Sequence, residues 1–217
     1  VLVDITNYVM LATGNPTHAF DADNISGHIV VRCAKDGEQL TLLNGKELTL
    51  CADDLAITDS EGPVALAGVM GGSKDSILPD TKRVILEVAN FDAAGIRRTA
   101  LRYDNRTEAS ARYEKAIDPE RCEQALAMSM EYFKELYPEL KVTGFCDRYE
   151  KPLERAKIDV ELSWLAKRLG KDLSNEEIQH KLELLGFEAA ICGGVMHVTA
   201  PTWRSTGDIS IKDDVME

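Results

Sequence analysis

Asn44-Gly45 stands at the centre of QLTLLNGKELTL, where apolar and polar residues alternate on both sides. Strict alternation is the period of a strand that buries one face. An Asn-Gly pair accepts the positive φ of a tight turn. The stretch therefore predicts an antiparallel hairpin. Its surroundings have the same texture. IVVRCA is β-branched and apolar, and LAITD and VALAGVM flank the turn signal Glu61-Gly62-Pro63. RVILEVANF predicts a further strand, buried on both faces except at Glu87.

Helical signals follow the strands. Asp92 can cap a helix through Ile96-Arg97-Arg98, and Asp118-Pro119-Glu120 places a cap before a proline at the first helical position. That helix is expected to run to about Leu136, with Cys122, Leu126, Phe133 and Leu136 on one stripe. RYEKPLERAK reads as a linker. Beyond it, IDVEL predicts a short strand, Ser163 a helix cap and Ser174-Asn175-Glu176-Glu177 a capping box. FEAAICGGVMHVTAP predicts a hairpin about Gly193-Gly194. The fold class is α+β: residues 1–150 form a mixed-sheet domain with flanking helices. Residues 151–217 form a small winged-helix-like module of helices and a hairpin.

Composition narrows the function. The chain has 217 residues and a formal charge of −12, which argues against broad, non-specific phosphate binding. One basic stretch stands out, since residues 97–115 carry six basic side chains against three acidic. No apolar run approaches the roughly 20 residues that span a bilayer. The five cysteines are scattered without a Cys-x-x-Cys, which favours reduced, buried thiols over disulfides or zinc. The chain begins at Val1 and stops within KDDVME, and so is expected to be a portion of a longer polypeptide.

Three features could carry chemistry. His18 follows the turn Gly14-Asn15-Pro16, which ends the helix-like apolar run Tyr8 to Leu11, itself just after Thr6 and Asn7. The glycines of AGVMGG, Gly68, Gly71 and Gly72, allow a close approach of backbone to a ligand, or simply a tight turn. Glu87 is a carboxylate among Ile85, Leu86 and Val88, costly to bury without a partner. His28, His180 and His197 have no partner at metal or triad spacing. There is no Gly-x-Ser-x-Gly and no Cys–His pair.

NYVMLATGNPTHAFD, LAGVMGG, ILEVANFD, IRRTA and RTEASARYEKAIDP, in this order, resemble the editing domain of the bacterial phenylalanyl-tRNA synthetase beta subunit. LLGFE, APTWR and DISIKDDVME resemble the module that follows it. The resemblance implies hydrolysis of the ester of tRNA(Phe) mischarged with tyrosine. It places His18, Asn7 and Thr6 in catalysis, and Glu87, Gly68, Thr107 and Ala109 around the substrate. On this reading His18 returns beside Asn7 at the mouth of a pocket floored by Glu87. Glu87 would accept a hydrogen bond from the tyrosine hydroxyl and stand unpaired against phenylalanine. Arg97, Arg98, Arg102 and Arg106 are candidates to guide phosphates.

The resemblance further implies an alpha-subunit partner in an alpha2-beta2 assembly, contact with the tRNA(Phe) acceptor end, and a cytoplasmic setting with neither DNA nor membrane. Asp208, Asp214 and Glu217 match magnesium ligands of the intact enzyme, and editing itself needs no cofactor. The alternative is a noncatalytic module for subunit assembly and tRNA binding. Three departures from the family pattern stand out. Lys115-Ala116 occupies a site that usually ends in glycine, the glycine common before Arg106-Thr107 is missing, and WRSTGDI has two extra residues.

Overall fold

The computed structural model describes residues 1–74 and 76–217. Helix α1 (Leu2–Thr13) buries Ile5, Val9 and Met10. It ends where Gly14 takes φ 78°, its N–H donating to the Met10 carbonyl. That left-handed residue is cheap only for glycine. The chain then reverses into β1 (Thr17–Asp21).

Seven strands follow among the described residues. They are β2 (Val30–Cys33), β3 (Gln39–Thr41), β4 (Glu47–Thr49), β5 (Leu55–Thr58), β6 (Pro63–Leu66), β7 (Met70–Gly71) and β8 (Val84–Val88). The expected hairpin is β3–β4, with Leu40 opposite Leu48 and Gly45 at φ 80°. The strands of this region form three small antiparallel sheets, β2-β5-β6-β7, β3-β4 and β1-β8. Leu42, Leu50 and Leu66 are fully buried between them. Each removes apolar surface worth about 2 kcal/mol from water.

Among the described residues, two helices pack on this core and a third packs on α1. In α2 (Ala93–Arg102) the Asp92 carboxylate caps the Gly95 N–H at 2.6 Å, as expected. Thr107 caps α3 (Glu108–Tyr113). Helix α4 (Arg121–Leu136) starts later than its proline signal, because Asp118 spends its carboxylate on the Glu120 N–H in a turn before the helix. Its buried stripe is Ala125, Ser129 and Phe133, packed with Ile5 and Val9 of α1, whereas Leu136 is exposed. Strand β8 also departs from expectation. It belongs to a two-stranded ribbon, which cannot cover both its faces, and Ile85 is exposed.

The chain divides into two compact units, Val1–Phe145 and Cys146–Glu217. The second contains β9 (Lys157–Glu161), α5 (Leu162–Leu169), α6 (Asn175–Leu184), β10 (Glu188–Cys192), β11 (Val195–Thr199) and α7 (Lys212–Met216). Its sheet runs β10-β11-β9, with Gly193 and Gly194 both at positive φ in the expected hairpin turn. Ser174 caps α6 through the Glu177 N–H. Ser163 caps nothing: α5 begins one residue earlier, at Leu162, directly out of β9. Cys33, Cys146 and Cys192 are exposed rather than buried, Cys33 because it lies on a strand at the margin of its sheet.

Candidate functional site

The β1–β8 ribbon runs antiparallel with His18 opposite Glu87. The Ala22 N–H donates to the Arg83 carbonyl at 2.9 Å. Alternate pairs along such a ladder exchange hydrogen bonds, so counting back makes His18–Glu87 a hydrogen-bonded backbone pair. Their side chains share one face, with β-carbons about 5 Å apart. No hydrogen bond joins the two side chains among the described residues. The imidazole instead meets the Phe20 ring edge-on at 4.5 Å.

Both side chains line a cleft of about 70 Å³ whose other walls include Ala65, Gly68, Met70, Gly71 and Ala109. The Glu87 residue keeps some accessible surface, but its carboxyl end is enclosed, and the latter governs its ionisation. Burial pushes that carboxyl up to about 7 and pulls His18 down to about 4. Desolvation penalises the charged form of each, which for an acid and a base gives opposite directions. At neutral pH the imidazole is uncharged and the carboxyl stands near its midpoint.

The glycine turn shapes the opposite wall. Gly68, at φ 67°, links β6 to β7. A methyl group added there would sit 2.8 Å from Ile96 Cδ1 and 3.0 Å from the Phe91 ring. One added at Gly71 would lie 2.5 Å and 2.6 Å from His18 Cε1 and Nε2. AGVMGG is therefore both a tight turn and a wall of the cleft. Thr107 does not line it. Its Oγ1 donates to the Val69 carbonyl at 2.8 Å and accepts from the Ser110 N–H, tying α3 to that turn.

Thr6 and Asn7 do not line the cleft either. Thr6 is buried in α1, where its hydroxyl donates to the Val3 carbonyl. Asn7 is exposed on the same helix, and His18 pairs across the ribbon with Glu87. Sequence reasoning missed Tyr113, a fully buried cleft residue whose hydroxyl reaches Ala89 and Pro16. Its only signal was an aromatic residue inside RTEASARYEKAIDP.

Two of the four candidate phosphate guides are already engaged. Arg102 pairs with Asp54, and Arg106 with Glu114 at 2.7 Å. Arg97 and Arg98 are exposed and make no ion pair among the described residues. The candidate magnesium ligands do not assemble. Asp208 is paired with Arg204, and Asp214 accepts the Ser210 and Ile211 N–H groups at the start of α7. Among the described residues no group of three or more acidic, His or Cys side chains could hold a metal ion. Asp208, Asp214 and Glu217 therefore form no metal-holding group among the described residues. In the second unit a cavity of about 190 Å³, lined by Leu165, Leu169 and Ile178, contains none of the candidate residues. His197 there does have a partner, since its Nδ1 meets Asp159 at 2.6 Å across β11 and β9.

Residues 1–138, which contain the whole cleft, match the family model of the B3/4 domain. The chain belongs to the B3/4 domain family. Residues 158–217 of this B3/4 protein match the tRNA synthetase B5 domain. It is 43% identical over 219 residues to the phenylalanine–tRNA ligase beta subunit of Solibacter usitatus, covering all of this chain and 28% of that one. With the corresponding subunit of Halalkalibacterium halodurans it is 39% identical, covering all of this chain and 27% of the relative. The B3/4 chain thus spans little more than a quarter of the curated relatives it matches. Its fold is similar to the N-terminal fragment of the phenylalanyl-tRNA synthetase beta subunit from Pyrococcus horikoshii. There the TM-score is 0.51 at 19% identity, over 99% of this chain and 63% of the other. These likenesses bear out the resemblance drawn from the motifs. No helix among the described residues is long and apolar enough to cross a membrane.

Proposed function

We propose that this chain is part of the beta subunit of a phenylalanine–tRNA ligase, and that the β1–β8 cleft hydrolyses the ester of tRNA(Phe) carrying tyrosine. The observation that carries the reading is the pairing of His18 and Glu87, opposite each other on one face and enclosed in one cleft. A buried carboxyl poised near 7 suits a phenol, because it can accept from the hydroxyl when ionised or donate to it when neutral. Phenylalanine would leave it desolvated without a partner, a penalty of about 1–3 kcal/mol.

Water attacks the ester carbonyl, and the released ribose oxygen takes up a proton. His18 is a weak base at about 4, so its uncharged ring serves to orient the water rather than to deprotonate it. Gly68 brings backbone close to the ester, Ala109 borders the tyrosine side chain, and Thr107 acts through the turn it anchors. Thr6 acts through its backbone, since its carbonyl accepts from Thr17 Oγ1, next to His18. The cleft is smaller than the roughly 150 Å³ cavity that holds benzene. It must widen to admit a phenol, and Met70 is the wall residue with the most rotational freedom. Arg97 and Arg98 guide the acceptor-end phosphates, and the alpha subunit is the assembly partner.

The test is deacylation of tyrosyl-tRNA and phenylalanyl-tRNA by the alpha–beta ligase with wild-type chain, Glu87→Ala and His18→Ala. Selective cleavage of the tyrosyl ester, with the preference erased in Glu87→Ala, is the expected result. If wild type cleaves neither ester, the cleft is not hydrolytic and the chain is an assembly and tRNA-binding module.

A further inference from the structure

The β1–β8 ladder ends one step short of a rung between residues 16 and 89. Thr17–Val88 is its last pair, and one step beyond it Pro16 faces Ala89. Pro16 and Ala89 are in phase with His18–Glu87, two residues away, so residue 16 should donate its N–H to the Ala89 carbonyl. Proline has none to give. The Tyr113 hydroxyl stands in its place, donating to the Ala89 carbonyl at 2.9 Å and lying 3.2 Å from the Pro16 carbonyl. The Asn15 amide reaches the same two acceptors, Pro16 at 3.0 Å and Ala89 at 3.4 Å. Asn15 and Tyr113 are both fully buried.

We infer that Tyr113, assisted by Asn15, is a positioning residue: its hydroxyl replaces the missing backbone donor and sets the separation of His18 and Glu87 across the cleft. This rests on the proposed editing role. A two-stranded ribbon has no further strand to hold its spacing, so its open end would splay without that bond. Tyr113 also lines the cleft and packs edge-on against Phe91 at 5.1 Å, a contact that restrains its ring.

The test is Tyr113→Phe, which keeps the ring and loses the donor, read in two ways. In the ligase, kcat for tyrosyl-tRNA should fall roughly ten-fold or more, as misplacement of reacting groups does, with KM within about three-fold. In the 217-residue chain, the His18 Cε1–H resonance should move. Pro16→Ala restores a backbone N–H opposite Ala89, so Tyr113→Phe/Pro16→Ala should recover the rate and the resonance in large part. An unchanged rate and resonance in Tyr113→Phe would overturn the inference, as would a loss that Pro16→Ala leaves unrepaired. Should Tyr113→Phe fail to fold, recovery of a folded His18 resonance in the double variant supports the surrogate rung, and no recovery sinks it. If the wild type cleaves no ester, the editing role fails by itself, while the resonance still decides what Tyr113 does.

Discussion

His18 and Glu87 face each other across β1 and β8, and burial moves their ionisation in opposite directions. The two effects on stability therefore offset each other. Between about pH 4.5 and 7 the folded state holds a proton on Glu87 that the unfolded chain has released, so this term loses stability as pH rises. Between 6.5 and about 4 the unfolded chain binds a proton on its histidine that folded His18 refuses, so this term loses stability as pH falls. Glu87→Gln should unmask the second slope, and its gain over wild type should grow with pH to about 1–3 kcal/mol above pH 7. His18→Gln should unmask the first, with its gain growing towards pH 4. Urea midpoints at three pH values read both, and parallel curves for all three proteins would refute the coupling.

Gly71→Ala should displace the His18 ring, because the new methyl falls within 2.6 Å of it. Overpacking of this kind costs about 1–3 kcal/mol if the ring cannot move aside. Tyrosyl-tRNA deacylation should fall at least ten-fold at an unchanged far-UV spectrum. Wild-type turnover would show that the ring can shift without consequence.

Ala116 occupies φ 56°, at the position where the family pattern has glycine. A left-handed alanine is strained by about 1–2 kcal/mol, and glycine returns part of that through the freedom of its unfolded chain. Ala116→Gly should raise stability by about 0.5–1 kcal/mol, measured as a denaturant midpoint.

Asp54 is fully buried and fastens α2 to the sheet. It accepts from the Cys51 N–H, Thr99 Oγ1 and the Tyr103 hydroxyl, and pairs with Arg102. Burial alone would raise its carboxyl, but those hydrogen bonds outweigh it and the net shift is downward. Asp54→Ala strands two donors, the Cys51 N–H and Thr99 Oγ1, while the Tyr103 hydroxyl keeps the Thr49 carbonyl and Arg102 can turn to solvent. The expected loss is about 2–4 kcal/mol in equilibrium unfolding.

The elements legible in the sequence were those closed by short-range hydrogen bonds. The hairpins at Asn44-Gly45 and Gly193-Gly194, the Asp92 and Ser174 caps and the Gly14 stop are each made between residues a few positions apart. Local chemistry misled where a nearer competitor took the bond, as when Asp118 turned its carboxylate to Glu120 before the helix began. The family resemblance grouped Thr6, Asn7, His18, Gly68, Glu87, Thr107 and Ala109, and of these His18, Gly68, Glu87 and Ala109 line one cleft.

Which atoms meet was settled by pairings distant along the chain. Tyr113 reaches Pro16 over 97 positions and His197 reaches Asp159 over 38, with no periodic signal to announce either. The ionisation of His18 and Glu87 was equally out of reach of sequence reading, since it follows from how much water the fold removes from each group. Residue identity determined which protons could move, and tertiary burial decided which of them are held at neutral pH, because desolvation is a property of the surroundings and not of the side chain.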